Sequence, residues 1–216
     1  MRSFRVLFAL PLLALLTHAP AVDAKPKGDA KADEEPKLPT IVPTGVAEFD
    51  PTFMAAKDIH TKIDTQNTAL KDAKKGVNKA ANVAEDASLD TALTALKTAA
   101  NGKLELDNSG PTPRVKAANG APDDVKNAAT AINKLMDAGE ATAGVAKDLA
   151  PAAAELAEKA AAFPEKAKNL DPQTLLTASA KITADVKATV ATKDRVERLA
   201  KSAEEVIAAV SKAFAQ

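Results

Sequence analysis

The residues able to do chemistry are few. The 216-residue chain has two histidines and no cysteine. His18 falls in an N-terminal leader, so His60 is the one histidine of the mature protein. Ser-His-Asp and Cys-His catalysis both need a poised nucleophile beside a base. His60 sits next to Ile59 in a helical stretch, beside its apolar stripe rather than on it, and reads as a partly exposed helix-surface residue. A di-iron bundle site needs Glu-x-x-His pairs on two helices with further glutamates pointing inward, and a histidine-cysteine zinc site needs four such ligands. One histidine and no cysteine supply neither set. The adjacent acids Asp123-Asp124 and Glu204-Glu205 read as helix-surface charges. The first pair also falls in a helix's first turn, where negative charge complements the dipole. No phosphate loop, nucleotide fingerprint, calcium loop or haem-attachment motif is present. The sequence therefore predicts no catalytic residue, no cofactor-binding residue, no metal ligand and no enzyme.

The elements around these residues are built on a different principle. Three stretches carry apolar side chains at spacings of three and four, which places them on one side of a helix. The first runs Ala56, Ile59, Ile63, Gln66, Leu70, Ala73, Val77, Ala80, Ala84. A second runs from Val125 through Ile132, Leu135, Gly139, Thr142, Ala146, Leu149, Ala153, Leu156 and Ala160 to Phe163, Ala167 and Leu170. The third runs Leu175, Ser179, Ile182, Val186, Thr189, Lys193, Val196, Ala200, Ala203, Ile207, Val210, Phe214. Two polar residues interrupt the pattern. Gln66 reads as a residue that fixes register, the usual role of a single polar group in a coiled-coil-like seam. Lys193 can lay its stem along the seam and keep its ammonium in water.

Composition agrees with helices. The chain has no Trp and no Tyr, the side chains that sheets favour, and is rich in the better helix formers alanine, lysine, leucine and glutamate. The expected fold is all-α: an elongated antiparallel bundle of three to five helices with Ala-rich, heptad-like stripes, preceded by a signal peptide and a disordered linker.

Residues 1–24 read as that signal peptide. Arg2 and Arg5 precede the apolar run Val6 to Leu16, and Val22-Asp23-Ala24 offers small residues to a signal peptidase. The run falls short of the roughly 20 apolar residues that span a bilayer. Cleavage after Ala24 would leave 27 basic and 28 acidic residues on a mature chain of 192. Such balance argues against nucleic acid as a partner. Without cysteine, stability must come from packing rather than from disulfides.

Residues 25–50 read as a charged, proline-rich linker, extended and mobile. The bundle domain is expected over 51–216, with helices at about 51–86, 88–106, 122–170 and 171–214. Asp50 is placed to cap the first helix with Pro51 at its first position. Ser88 caps the second, and Asp171 with Pro172 starts the last. The third stretch is kinked or broken at Pro151, whose ring costs about 3 kcal/mol in a helix interior; Pro164 is a second interruption. The segment from Asp107 to Pro122, dense in Gly, Pro and Asn, reads as a long loop. A loop of that length is unusual in a compact domain and marks a place for outside contact. Acid-first pairs such as Asp58 with Lys62, Glu155 with Lys159 and Glu197 with Lys201 read as solvated faces.

Two functions follow. The first is a structural or protein-interaction role in the cell envelope or extracellular space, with a second copy or another helical envelope protein as partner. The second is binding of apolar matter, whether lipid, fatty acid or a hydrophobic surface, through a seam that opens. An alanine-lined seam buries little area and gains less from closing than a leucine seam at about 25 cal/mol per Å². In its export signal, Ala-Thr-rich helices and scarce aromatics, the chain is similar to small secreted helical proteins of the fungal hydrophobic-surface-binding type. No specific motif carries that likeness, and none of the nine asparagines begins an Asn-x-Ser/Thr acceptor.

Overall fold

The computed structural model describes residues 38–110 and 112–215. The expected signal peptide and residues 25–37 of the expected linker lie outside them. The described chain is mostly helical: α1 (Asp50–Ala80), α2 (Leu89–Ala100), β1 (Leu104–Asp107), β2 (Arg114–Ala117), α3 (Asp123–Ala161), α4 (Phe163–Ala167), α5 (Pro172–Val190) and α6 (Thr192–Phe214).

Three rods make the bundle. α1 is one, and α3 is the second, 39 residues long and about 58 Å at 1.5 Å per residue. α5 and α6 together form the third. Gln66 of α1 meets Thr142 of α3, while the start of α1 packs on the end of α3 and Val77 packs among Val125 to Met136, so α1 and α3 are antiparallel. His60 and Asp64 of α1 reach Thr192 and Arg195 of α6, so these two helices run the same way.

The core lies in two clusters, one toward each end. The first joins Phe49, Phe53, Ile59 and Ile63 to Leu149, Leu156, Phe163, Ile182, Val196 and Leu199. The second joins Val77 to Leu93, Leu96, Leu104, Val115, Ile132, Leu135, Met136, Val210 and Phe214. Between them the rods meet at a waist of small and polar side chains. A Cβ on Gly139 would sit 3.1 Å from Ile207 Cγ1 and 3.5 Å from the Ala203 carbonyl oxygen. Ala203 and Thr142 are fully buried beside it. Glycine there lets α3 and α6 approach more closely than any side chain would permit.

Several elements depart from the sequence reading. The first helix ends at Ala80 rather than near Asp86, because Asn82 turns left-handed at φ 53°. The following loop wraps the buried Asn78, whose Nδ2 donates to the carbonyls of Ala84, Glu85 and Ala87 at 3.2, 2.9 and 3.1 Å. Asp50 does not cap α1. It is the first helical residue, and its carboxylate turns back to accept from Thr44 N and Thr44 Oγ1, both at 2.7 Å, and from Gly45 N at 3.0 Å. The expected mobile linker is thus ordered from residue 38 onward, with Ile41, Val46 and Phe49 buried.

The expectation of helix to residue 106 and loop to 122 gives way to a β-hairpin. Leu104 pairs with Ala117 and Asp107 with Arg114, antiparallel. The fold is therefore a helical bundle with one small two-stranded sheet, not strictly all-α. The segments L-E-L-D and R-V-K-A alternate apolar and charged residues, which suits a half-buried strand. α3 holds the hairpin with three polar residues on one face. Asn133 accepts from Val115 N and donates to Val115 O, both at 2.9 Å. Arg114 grips Glu140 through two bonds of 2.7 and 3.1 Å and reaches Asp137 at 2.8 Å. That pairing holds the Glu140 carboxyl below its ordinary range.

The third stretch does not break at Pro151. α3 continues through it as one helix, because the proline lies on the exposed face, where water can take the carbonyl left without a helical donor. The break comes at Ala162, before Phe163-Pro164, where proline opens the short α4. The last stretch is not one helix either: it turns at Ala191. Thr189, Val190 and Thr192 crowd this point with β-branched side chains, and the Thr192 hydroxyl bonds back to the Ala188 carbonyl at 3.3 Å, a contact that bends helices. The other two expected caps are present. Ser88 Oγ accepts from Thr91 N at 3.1 Å, and Asp171 Oδ1 accepts from Gln173 N and Thr174 N at 3.1 and 2.9 Å.

The waist predicts opposite outcomes for two glycines of one helix. Gly139→Val should lower stability by about 1–3 kcal/mol through overpacking. Gly144 is exposed with nothing within 4 Å of its Cβ position, so Gly144→Ala should raise stability by about 1 kcal/mol. Urea unfolding of both variants measures the contrast.

Candidate functional site

Thr189, Thr192 and Arg195, three of the polar residues that reach the interior, lie at the turn between α5 and α6, where α1 faces it. His60 is half-buried on α1, and its Nε2 lies 2.9 Å from Thr192 Oγ1. The Thr192 hydroxyl also reaches back to the Ala188 carbonyl at 3.3 Å, so His60 is tied to the turn between α5 and α6. One turn along, Arg195 is 8 % exposed and its guanidinium donates to Asp64 Oδ1 at 2.6 Å. The aspartate end of the pair is open to water: its side chain is 65 % exposed against 9 % for the arginine's. The guanidinium is therefore drawn from the seam toward the surface, which spares the pair much of the desolvation that a fully buried ion pair pays.

Further along α1, Gln66 Oε1 accepts from Thr142 Oγ1 at 3.2 Å. Gln66 is half-buried and Thr142 fully buried. A one-turn slip of α1 against α3 would strand that hydroxyl, and this is the register-fixing role its place in the stripe implied. Lys193 stands in solvent and meets Glu197 at 3.9 Å. The seam passes instead through Thr192, Arg195, Val196 and Leu199, because the turn at Ala191 rotates the face that α6 presents.

The other residues singled out by sequence stay apart. Asp123 and Asp124 are exposed in the first turn of α3; Asp123 pairs with Lys126 at 2.9 Å and Asp124 accepts from Val125 N at 2.9 Å. Glu204 and Glu205 are exposed, with Lys201 3.7 Å from Glu205. Glu155 and Lys159 form their surface pair at 2.5 Å. Among the described residues, no group of three or more histidines and carboxylates is placed to hold a metal ion.

Spacing alone missed Asp185, one turn from the stripe residue Thr189 on α5; both are fully buried. Among the described residues, Asp185 Oδ2 and Thr189 Oγ1 have no hydrogen-bond partner. Asp185 Oδ1 accepts only a long bond, 3.4 Å, from Val42 N. Burial pushes the Asp185 carboxyl above its ordinary range, and the nearby Asp50 adds to the push. A signal existed in principle: Asp185 stands at three-four spacing between the stripe residues Ile182 and Thr189, and a stripe drawn through it buries all three.

The surface carries a distinct feature between α1 and α3. Ala73, Gly76, Ala80 and Ala131 floor an open groove, with Asp72, Lys79, Asp124 and Lys134 along its sides. Gly76 is exposed inside a helix and a Cβ there would meet nothing within 4 Å, so the chain's own packing does not require a glycine at that place.

Two threonines separate satisfied from unsatisfied hydroxyls. Thr189→Val replaces a buried hydroxyl that lacks a partner and should stabilise the fold by about 1 kcal/mol, whereas Thr142→Val loses the bond to Gln66 and should destabilise it by about 1 kcal/mol. Equal losses in a chemical melt would contradict the seam as described.

No family model, curated protein sequence or solved structure matches the chain, so its own geometry is the guide to its role.

Proposed function

We propose that this chain is a non-enzymatic, exported helical-bundle protein that works through protein contacts in the cell envelope or extracellular space. The observation that carries the reading is the α1–α3 groove. Its floor of small side chains matches the close approach of a helix, and its walls alternate Asp72 and Asp124 with Lys79 and Lys134, which suits a partner helix bearing both signs of charge. An exposed glycine inside α1 costs about 1 kcal/mol relative to alanine, a cost that makes sense where another backbone comes close. The partner is a second copy of the chain or another helical protein of the same compartment.

Export rests on the leader: the basic start, the apolar run and the small residues before Lys25. The charged, proline-rich residues that follow it would serve as a tether. Among the described residues no helix is long and apolar enough to cross a membrane.

The alternative, a binder or carrier of lipid, fatty acid or a hydrophobic surface, requires the seam to open. The tight Gly139–Ile207 approach and the half-buried Gln66–Thr142 bond oppose opening. The two readings differ in what they expect of one set of measurements. In the interaction reading, the mature protein has the mass given by cleavage after Ala24, melts cooperatively and is unchanged by phospholipid vesicles. Sedimentation then finds a dimer that Gly76→Leu returns to monomer, or, for a monomeric chain, affinity capture from envelope extracts recovers a helical partner that Gly76→Leu loses. A large gain in helix with vesicles, together with partition into them, would replace this reading by the carrier.

A further inference from the structure

Residues 38–49 form a strap that crosses the end of the bundle where α1 starts and α3 ends. Ile41 and Val46 are buried at 2 % and 7 % exposure and belong to the same cluster as Phe53, Phe163 and Ile182. Phe49 stacks on Phe163 with ring centroids 4.4 Å apart. Two carboxylates hold the strap, and they differ in kind. Asp50 is well served by its three short bonds to Thr44 and Gly45. Asp185 is poorly served: it is fully buried, it makes one long bond to Val42 N, and its second oxygen has no partner among the described residues. A charged carboxylate in that position is a burden on the closed strap, whose Val42 N–H is the donor that faces it.

We propose that the strap is a proton-controlled latch, seated over the aromatic end of the bundle when Asp185 is neutral and loosened when Asp185 is ionised. Its release would uncover the apolar crevice that Ile41 and Val46 fill. The charged groups acting on Asp185 are Asp50, across from it on α1, which favours the neutral form, and Lys181, one turn back on α5, which favours the charged form. On the strap itself, Glu48 is taken up by Lys166 of α4 at 2.7 Å.

The direction with pH follows. The closed state holds the Asp185 carboxyl above its ordinary value of 3.8, so closure is fully supported below that value and weakens as pH rises through the raised one. Asp50 works the other way. Its carboxyl is lowered in the closed state; burial raises it, and the bonds to Thr44 and Gly45 outweigh burial. Its support is present above the ordinary value of 3.8 and disappears as pH falls through the lowered one. From about pH 5 upward the Asp50 contribution is level, and the change there is that of Asp185.

Amide hydrogen exchange of the mature protein reads the latch directly. Protection of the peptide covering residues 38–46, corrected for intrinsic rates, should fall as pH rises from about 5, by up to ten-fold for each unit that the carboxyl is raised. Peptides from the middle of α3 should keep theirs. Asp185→Asn should flatten the profile. A wild-type profile that is flat or rising, or an Asp185→Asn profile that still falls, overturns the proposal. Carbon NMR titration of Asp185 in the wild type gives a second readout that needs no variant. A midpoint above the ordinary carboxylate range that coincides with the loss of strap protection supports the latch, and a midpoint within that range overturns it.

Discussion

The rest of the structure depends on how close α3 and α6 come at Gly139. Two helices packed through leucines stand 8–10 Å apart and allow some sliding; with glycine facing Ala203 and Ile207, the backbones are nearly in contact and the crossing point is fixed. Once that crossing is set, α1 has one place to lie, and the Gln66–Thr142 bond selects its register. Larger side chains can then fill the wider spaces on either side, which is why the apolar residues divide into two clusters.

That division gives the two ends different characters. One end is closed by aromatic residues, the short α4 and a strap tied down by Asp50 and Asp185. The other is closed by α2 and a hairpin tied to α3 by Asn133 and Arg114. Neither end depends on a disulfide, since the chain has no cysteine. What replaces covalent staples is a set of polar side chains that each secure a stretch of irregular backbone: Asn78 for the α1–α2 loop, Asn133 for β2, Asp50 for the strap.

The sequence was legible where one rule acted alone. Stripes at three-four spacing placed α1, α3 and the α5–α6 rod, and Ser88 and Asp171 marked helix starts because their side chains bond locally. It was not legible where a neighbour decided the outcome. Pro151 looks like a helix breaker until one knows that its ring faces water, and Ala191 looks innocuous until Thr192 bends back on Ala188. The strands are four residues each, too short for alternation to stand out against Gly, Pro and Asn on both sides. Asp185 and Arg195 lie beside the stripe, and spacing cannot tell a polar residue next to a buried face from one at its solvent edge. The internal polar seam was therefore visible only where Gln66, Thr142 and Thr189 sat within the stripes themselves.

Asn133 has a consequence for the protein's life in a crowded compartment. A two-stranded ribbon ordinarily leaves a row of backbone donors and acceptors ready to template a foreign strand. Here the side-chain amide of Asn133 acts as a one-residue third strand, offering its oxygen and its nitrogen to Val115 as a backbone neighbour would. β2 is thereby terminated from the side, and this largely helical protein carries its ribbon with the Val115 position sealed against sheet growth and self-templated aggregation.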